Sequence, residues 1–390
     1  MNVLIADHLS SEARDGFEAL GLRVTEAPDL NVDTLAGAMS GFEVLVVTDT
    51  RVTRRAIESS NDLLLIVRAG AGVETIDVEA ASEEAVFVAD CPDYDARARA
   101  EFALGLLIGL DRAADDEGGS GTCVPKARGL WGRSLGLYGY NASAAHLSVV
   151  ASAMGMSVKV YTDALTGALA TEAGIKDCEV PEELFERCDF ISVHNDPNHA
   201  LPVVSEDLLE LLNSEQVLVS VEGIEPLDLE AIEGAVDAKG LRLGIDLPTQ
   251  AQSEESEKRL ARLGEKKSTR ITRGAAPETS EAWGELAHEA VLIVHDFFLH
   301  GTVAHGANIA REEPAAATMI VRHHHKTNAL VSVFQELNEE GIPVLDIDNV
   351  VFESSHSACL HLRLERVPCP DTLARIRRHG TIRRVDLVEH

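Results

Sequence analysis

Val44-Leu45-Val46-Val47 and Leu63-Leu64-Leu65-Ile66-Val67 are two short apolar runs separated by a helix-forming stretch, Arg54 to Ser59. Neither run alternates with polar residues, so each predicts a strand buried on both faces. Strand, helix and strand in that order predict parallel pairing through a crossover. The pattern extends outward in both directions. Toward the N-terminus come a strand at Val3-Leu4-Ile5-Ala6, a helix from Ser11 to Leu20, a strand at Leu22-Arg23-Val24 and a helix from Val32 to Met39. Toward the C-terminus comes a further strand at Val86-Phe87-Val88. The reading is an α/β doubly wound sheet with helices on both faces.

A long helix, Ala96 to Ala113, closes this series, and Ala114 to Gly121 reads as a flexible break. A second α/β series then begins at Ser134-Leu135-Gly136-Leu137-Tyr138, followed by a helix to Met154. Its later strands are Ser157 to Tyr161, Phe190 to Val193, Val217 to Val219 and Leu243 to Ile245. After Pro314 the order changes to strand (Thr318 to Val321), helix (Ala329 to Glu340), strand (Val344 to Val351), strand (Cys359 to Leu364), helix (Asp371 to Arg378) and strand (Thr381 to Val388). That order is a βαββαβ, ferredoxin-like unit. A chain of 390 residues accommodates these units as separate cores.

The charge balance is lopsided: 65 Asp and Glu against 34 Lys and Arg, a net charge of −31. The acid is dispersed along the chain, which predicts a soluble protein of a salt-rich, halophilic cytoplasm; the bland alternative is an ordinary acidic protein. Nucleic acid is excluded as a partner, because binding it needs a basic stripe. The N-terminus opens directly on a strand pattern with no basic leader, and no apolar run approaches the ~20 residues of a membrane span, so the expected location is the cytoplasm. The six cysteines lack paired short spacings and predict neither disulfides nor zinc.

Arg68-Ala69-Gly70-Ala71-Gly72-Val73-Glu74-Thr75-Ile76-Asp77 resembles the substrate-domain signature of D-3-phosphoglycerate dehydrogenases. Gly132-Arg133-Ser134-Leu135-Gly136 resembles the approach to their nucleotide-binding turn, and Asp189 to His194 the strand on the nicotinamide side. His300-Gly301-Thr302-Val303 with Ala307-Asn308 is similar to the exit from their catalytic domains. The resemblance implies two Rossmann-like parallel-sheet domains, a split substrate domain (1–96 and 285–310) and an inserted nucleotide domain (97–284). The βαββαβ unit (317–390) is similar to their regulatory ACT domain.

The family's chemistry fares differently. A dinucleotide-binding turn needs glycines where backbone N–H groups meet a pyrophosphate. Here it reads Gly139-Tyr140-Asn141-Ala142-Ser143-Ala144, with only the first glycine kept. Thr162 stands where an acidic residue would hold the ribose, with Asp163 one position on. The residues left to hold NAD are Gly139, Asn141, Asp163 and His194. The resemblance places Gly223, Ala251 and Gly274 where the family has its arginine, glutamate and histidine, so no catalytic residue is assigned. Glu222 beside Gly223 would repel a carboxylate substrate, and Asp49 and Asp93 stand at the substrate anchors. Arg97 and Arg99 are expected to face solvent.

In the ACT-like unit, His325 and Asn328 are the candidate amino-acid ligands. His323 and His325 are expected on one strand face, with no complete metal ligand set. Three readings follow. The first is an inactive, regulatory or scaffolding relative tied to serine or amino-acid metabolism. It would form a homo-oligomer or a hetero-oligomer with an active dehydrogenase, through an apolar surface on the helix Ala96 to Ala113. The second is an amino-acid sensor. The third is an active NAD-dependent dehydrogenase using other residues.

Overall fold

The computed structural model describes residues 1–113, 128–162, 174–195, 201–249, 252–309, 314–353 and 355–390. Met1–Asn308 form one compact unit and Ile309–His390 a second.

The first unit holds two parallel sheets. One has five strands, β1 (Asn2–Ile5), β2 (Arg23–Glu26), β3 (Val44–Val47), β4 (Leu65–Arg68) and β5 (Phe87–Asp90), in the order β2-β1-β3-β4-β5. Its central strands are buried on both faces, as uninterrupted apolar runs require: all four residues of β3 are buried. Each such Val or Leu contributes roughly 1.5–3 kcal/mol by leaving water. The run at Leu63 enters the sheet only at Leu65, since Leu64 is 44% exposed. The helix Ser280–His300 returns to this sheet. Its Leu286, Ala290, Ile293 and Val294 join Val3, Val44 and Leu65 in one core.

The other sheet has seven strands: β6 (Ser134–Tyr138), β7 (Ser157–Tyr161), β8 (Lys176–Asp177), β9 (Phe190–Val193), β10 (Val217–Ser220), β11 (Arg242–Leu247) and β12 (Thr269–Arg273). Their order is β12-β11-β10-β9-β6-β7-β8, and every pair is parallel. The direction of winding reverses between β6 and β9. Open α/β sheets bind ligands at such a switch point, outside the carboxyl ends of the strands.

The helix Ala96–Ala113 packs into this sheet's core. Ala103, Leu106, Leu107 and Leu110 are buried, while Phe102, Leu104 and Ile108 are half-buried against the same cluster. Its apolar stretch is therefore largely consumed inside its own chain, which corrects the expectation of a bare apolar helix surface.

The second unit is an antiparallel sheet, β13 (Ala317–His324), β14 (Val344–Val351), β15 (Ser357–Leu364) and β16 (Ile382–Glu389), ordered β14-β15-β13-β16. With the helices Thr327–Glu340 and Pro370–Arg378 it has the βαββαβ order. The alternation read at Leu360, Leu362 and Leu364 is the buried face of β15. Among the described residues no helix is long and apolar enough to cross a membrane. Nor does any group of three or more His, Cys, Asp or Glu side chains there suit a metal. The described cysteines are all free.

Candidate functional site

The carboxyl end of β6 turns through Gly139 and Tyr140 into the helix Ala142–Ala153, beside the end of β9. A helix start at this switch point is a general anion site, because the first N–H groups lack intrahelical partners. In this chain the helix is capped from within. Asn141 takes the N-cap position at φ −132, and its Oδ1 accepts from the N–H of Ala144 at 3.0 Å. The negative φ removes any need for glycine at that position.

The remaining polar groups converge on Glu222, in the loop after β10. Its Oε1 accepts from the Ser143 hydroxyl at 2.8 Å and lies 3.0 Å from His194 Nδ1. Its Oε2 accepts from Asn141 Nδ2 and from the backbone N–H of Asn195, both at 2.8 Å. The other ring nitrogen of His194, Nε2, lies 2.9 Å from Ser192 Oγ, and the imidazole is buried. Burial pushes the Glu222 carboxyl up, but the hydrogen bonds and charge of His194, with Asn141 and Asn195, outweigh it and hold it at about 2. An ionised carboxylate thus sits in a complete cradle of donors at the sheet's switch point.

Arg99 also turns toward this loop, contrary to the expectation that it faces solvent. Its Nε donates to Asp95 Oδ2 at 2.8 Å and its Nη1 to the carbonyl of Val221 at 2.6 Å. The buried Asp95, one helical turn earlier, aims it. Arg97 does stay exposed, paired with Glu285 at 3.1 Å.

Turns at other strand ends are closed in the same way. Asp7 Oδ2 accepts from the N–H groups of Thr48, Asp49 and Thr50 at 2.7, 3.1 and 2.9 Å. Asp90 Oδ2 accepts from Gly72 N–H at 2.7 Å. Asp246 accepts from Ala275 and Ala276 N–H at 3.1 and 2.9 Å. Glu289, on the helix Ser280–His300, is pushed up to about 7 by burial and by the nearby charges of Asp93, Asp90 and Glu285.

The sequence of residues 3–308 matches the profile of the D-isomer specific 2-hydroxyacid dehydrogenase catalytic domain. This chain belongs to that family. It is 32% identical over 201 residues to D-3-phosphoglycerate dehydrogenase of Methanocaldococcus jannaschii, covering 50% of this chain and 38% of that protein. It is 28% identical over 271 residues to the Synechocystis enzyme of the same name, covering 66% and 47% respectively. The alignments thus span less than half the length of these relatives. Among solved structures, a D-lactate dehydrogenase from Sporolactobacillus superposes with a TM-score of 0.65 at 19% identity, over 80% of this chain and 100% of that one. The NAD⁺-bound 3-phosphoglycerate dehydrogenase of Entamoeba histolytica superposes at 0.61 and 21% identity, over 80% and 99%. At these identities the likeness is one of fold.

Within this 2-hydroxyacid dehydrogenase fold, the positions singled out from sequence divide. Gly139, Asn141 and His194 come together at the switch point, while Asp163 and Ala251 lie outside the described residues. Gly223 and Gly274 take φ +106 and +61, a region that side-chain-bearing residues rarely adopt. A Cβ at 223 would collide with the Glu225 carboxylate, and one at 274 would lie 2.5 Å from Thr249 Cγ2. Glu254, the acid nearest Ala251 in sequence, opens the helix Glu254–Gly264, where it is exposed and pairs with Lys258 at 2.7 Å. In the second unit His325 and Asn328 are both exposed. His323 and His325 do not share a face. His323 is buried with Nε2 3.2 Å from Asn349 Oδ1, whereas the strand ends at His324 and leaves His325 outside it.

The residues that sequence reading undervalued are Ser143, Asn195 and Glu222. Glu222 was legible as a charge unfavourable to a carboxylate substrate. Its partners lie 27 to 81 positions away, and no local pattern announces them.

Proposed function

We propose that this chain is a catalytically inactive phosphoglycerate dehydrogenase-like protein with a regulatory or scaffolding role in amino-acid metabolism. The observation that carries the reading is the Glu222 carboxylate, held by Asn141, Ser143, His194 and Asn195 where a dinucleotide's phosphate would approach. A phosphate brought there meets a fixed negative charge whose donors are already engaged. These residues do not fit NAD, so no hydride-transfer step is derived for this chain. Gly223 and Gly274 support the same reading, because a glycine offers neither a proton acceptor nor a cation.

The regulatory half of the proposal rests on the βαββαβ unit, which we assign as an ACT domain with an amino acid as the candidate ligand near His325 and Asn328. Assembly as a homo-oligomer, or with an active dehydrogenase, draws support from an apolar surface. Trp131 is 83% exposed and lines a hollow with Ile108, Leu130 and Met154, and Val149 and Val150 stand exposed on the adjoining helix.

The direct test of inactivity is 3-phosphoglycerate-dependent NADH formation in concentrated KCl. None is expected. A turnover near ~1 s⁻¹, the low end of ordinary enzymes, would refute the proposal.

A further inference from the structure

The opposite end of the seven-stranded sheet, where its strands begin, holds a cavity of about 1130 Å³. Arg128, Arg133, Arg242, Lys266, Lys267 and Arg270 all line it, against two lining carboxylates, Asp111 and Glu215. Six of the chain's 34 basic side chains therefore gather at one hollow of a protein with net charge −31.

The inner wall is rigid. Buried Asp111 lies 2.6 Å from Arg133 Nη1 and 3.7 Å from Arg242 Nη1, so one carboxylate serves two guanidinium groups. Arg133 stacks over the Phe190 ring at 4.1 Å and reaches Asp189 at 3.1 Å. Among the described residues Arg242 otherwise reaches carbonyl oxygens, those of Leu110 and Glu215. Burial foremost, and Arg133 beside it, hold the Arg242 guanidinium below its usual range despite Asp111. At the rim, Lys266 pairs with Asp237 at 2.6 Å. Among the described residues neither Lys267 nor Arg270 has a carboxylate within ion-pair distance; the Arg270 guanidinium reaches the carbonyls of Lys267 and Thr269.

We propose that this cavity binds a phosphorylated small molecule, its phosphate lying among Arg242, Lys267 and Arg270. Planar guanidinium groups match phosphate oxygens in pairs, and Lys adds a mobile point charge. The volume exceeds the roughly 300–1,000 Å³ of ordinary small-molecule sites, which suits a nucleotide-sized ligand better than a single ion. A concave pocket of this size does not admit a duplex. A second copy's acidic surface docking here would make a head-to-tail contact, which builds rings or filaments rather than the common two-fold dimer. The site lies across the sheet from Glu222 and is independent of whether the switch point binds a dinucleotide.

Calorimetric titration of the full chain with inorganic pyrophosphate in KCl tests the proposal. Saturable binding is expected. It should weaken at least tenfold in the Lys267→Gln/Arg270→Gln double variant and stay unchanged in Lys258→Gln, an exposed cation elsewhere. Both targeted side chains are exposed, so the double variant should melt with the wild type. Absence of saturable binding, or equal affinity in wild type and double variant, overturns the site. Self-association without pyrophosphate binding, abolished in the double variant, also overturns it by naming a second copy as the occupant.

Discussion

Asn141 Nδ2 and Glu222 Oε2 lie 2.8 Å apart, across 81 residues of chain, and together they close the switch point of the seven-stranded sheet. The same Asn141 caps the helix Ala142–Ala153 through its other side-chain atom. One residue thus caps the helix start and binds the Glu222 carboxylate.

Acid unfolding reads this clamp. A carboxyl held at about 2 against an ordinary 4.5 contributes stability that is present above 4.5 and lost as pH falls toward 2. That gap, at about 1.36 kcal/mol per pH unit, corresponds to roughly 3 kcal/mol. The variant Glu222→Gln should be less stable than wild type at pH 7 by about 1–3 kcal/mol. Its denaturant midpoint should also change less between pH 5 and pH 2.5. Parallel pH profiles for the two proteins would show that Glu222 is not held as described.

Glu289 acts in a separate window with the opposite sign. Its carboxyl is raised to about 7, so its contribution is fully present below 4.5 and is lost as pH rises through 7. Replacing it as Glu289→Gln should raise the thermal midpoint at pH 8 relative to wild type and leave it nearly unchanged at pH 4.5. An equal shift at both values would show that burial and the charges of Asp93, Asp90 and Glu285 do not raise this carboxyl.

Restoring the family's side chains should not restore chemistry. Gly223→Arg and Gly274→His each force a side chain onto a left-handed backbone, which costs about 1–3 kcal/mol. Loss of thermal stability without NADH formation is expected for each variant and for the pair. Recovery of turnover in the pair would mean that only the side chains, and not the backbone, had been lost.

What the sequence made legible is what local pattern controls. The apolar runs of β3 and β6 announce strands because both faces are buried, and the alternation of β15 announces a one-sided sheet. The edge strand β12, Thr-Arg-Ile-Thr-Arg, is mostly outside the core and carries no such signal. Arg99 was misread although Asp95 stands four residues before it; that spacing is the one local hint that the arginine is held. Glu222 could be seen as an acid in the wrong place, but its role depends on residues brought together only by the fold.

Salt dependence tests the reading of the surface. With net charge −31, self-repulsion should weaken the folded state in dilute buffer and be screened in concentrated KCl. Thermal midpoints should rise with KCl, and light scattering at high salt should give a mass above that of the monomer. Equal midpoints would reject the halophilic reading. A strict monomer at micromolar concentration would reject assembly through the Trp131 surface.

NADH fluorescence, titrated against the full chain in concentrated KCl at pH 7, tests the central claim most directly. With the Glu222 carboxylate ionised and its donors engaged, no saturable enhancement is expected up to millimolar NADH. A saturating curve with a micromolar Kd in the wild type would contradict the account, because the dinucleotide would then bind despite the Glu222 carboxylate.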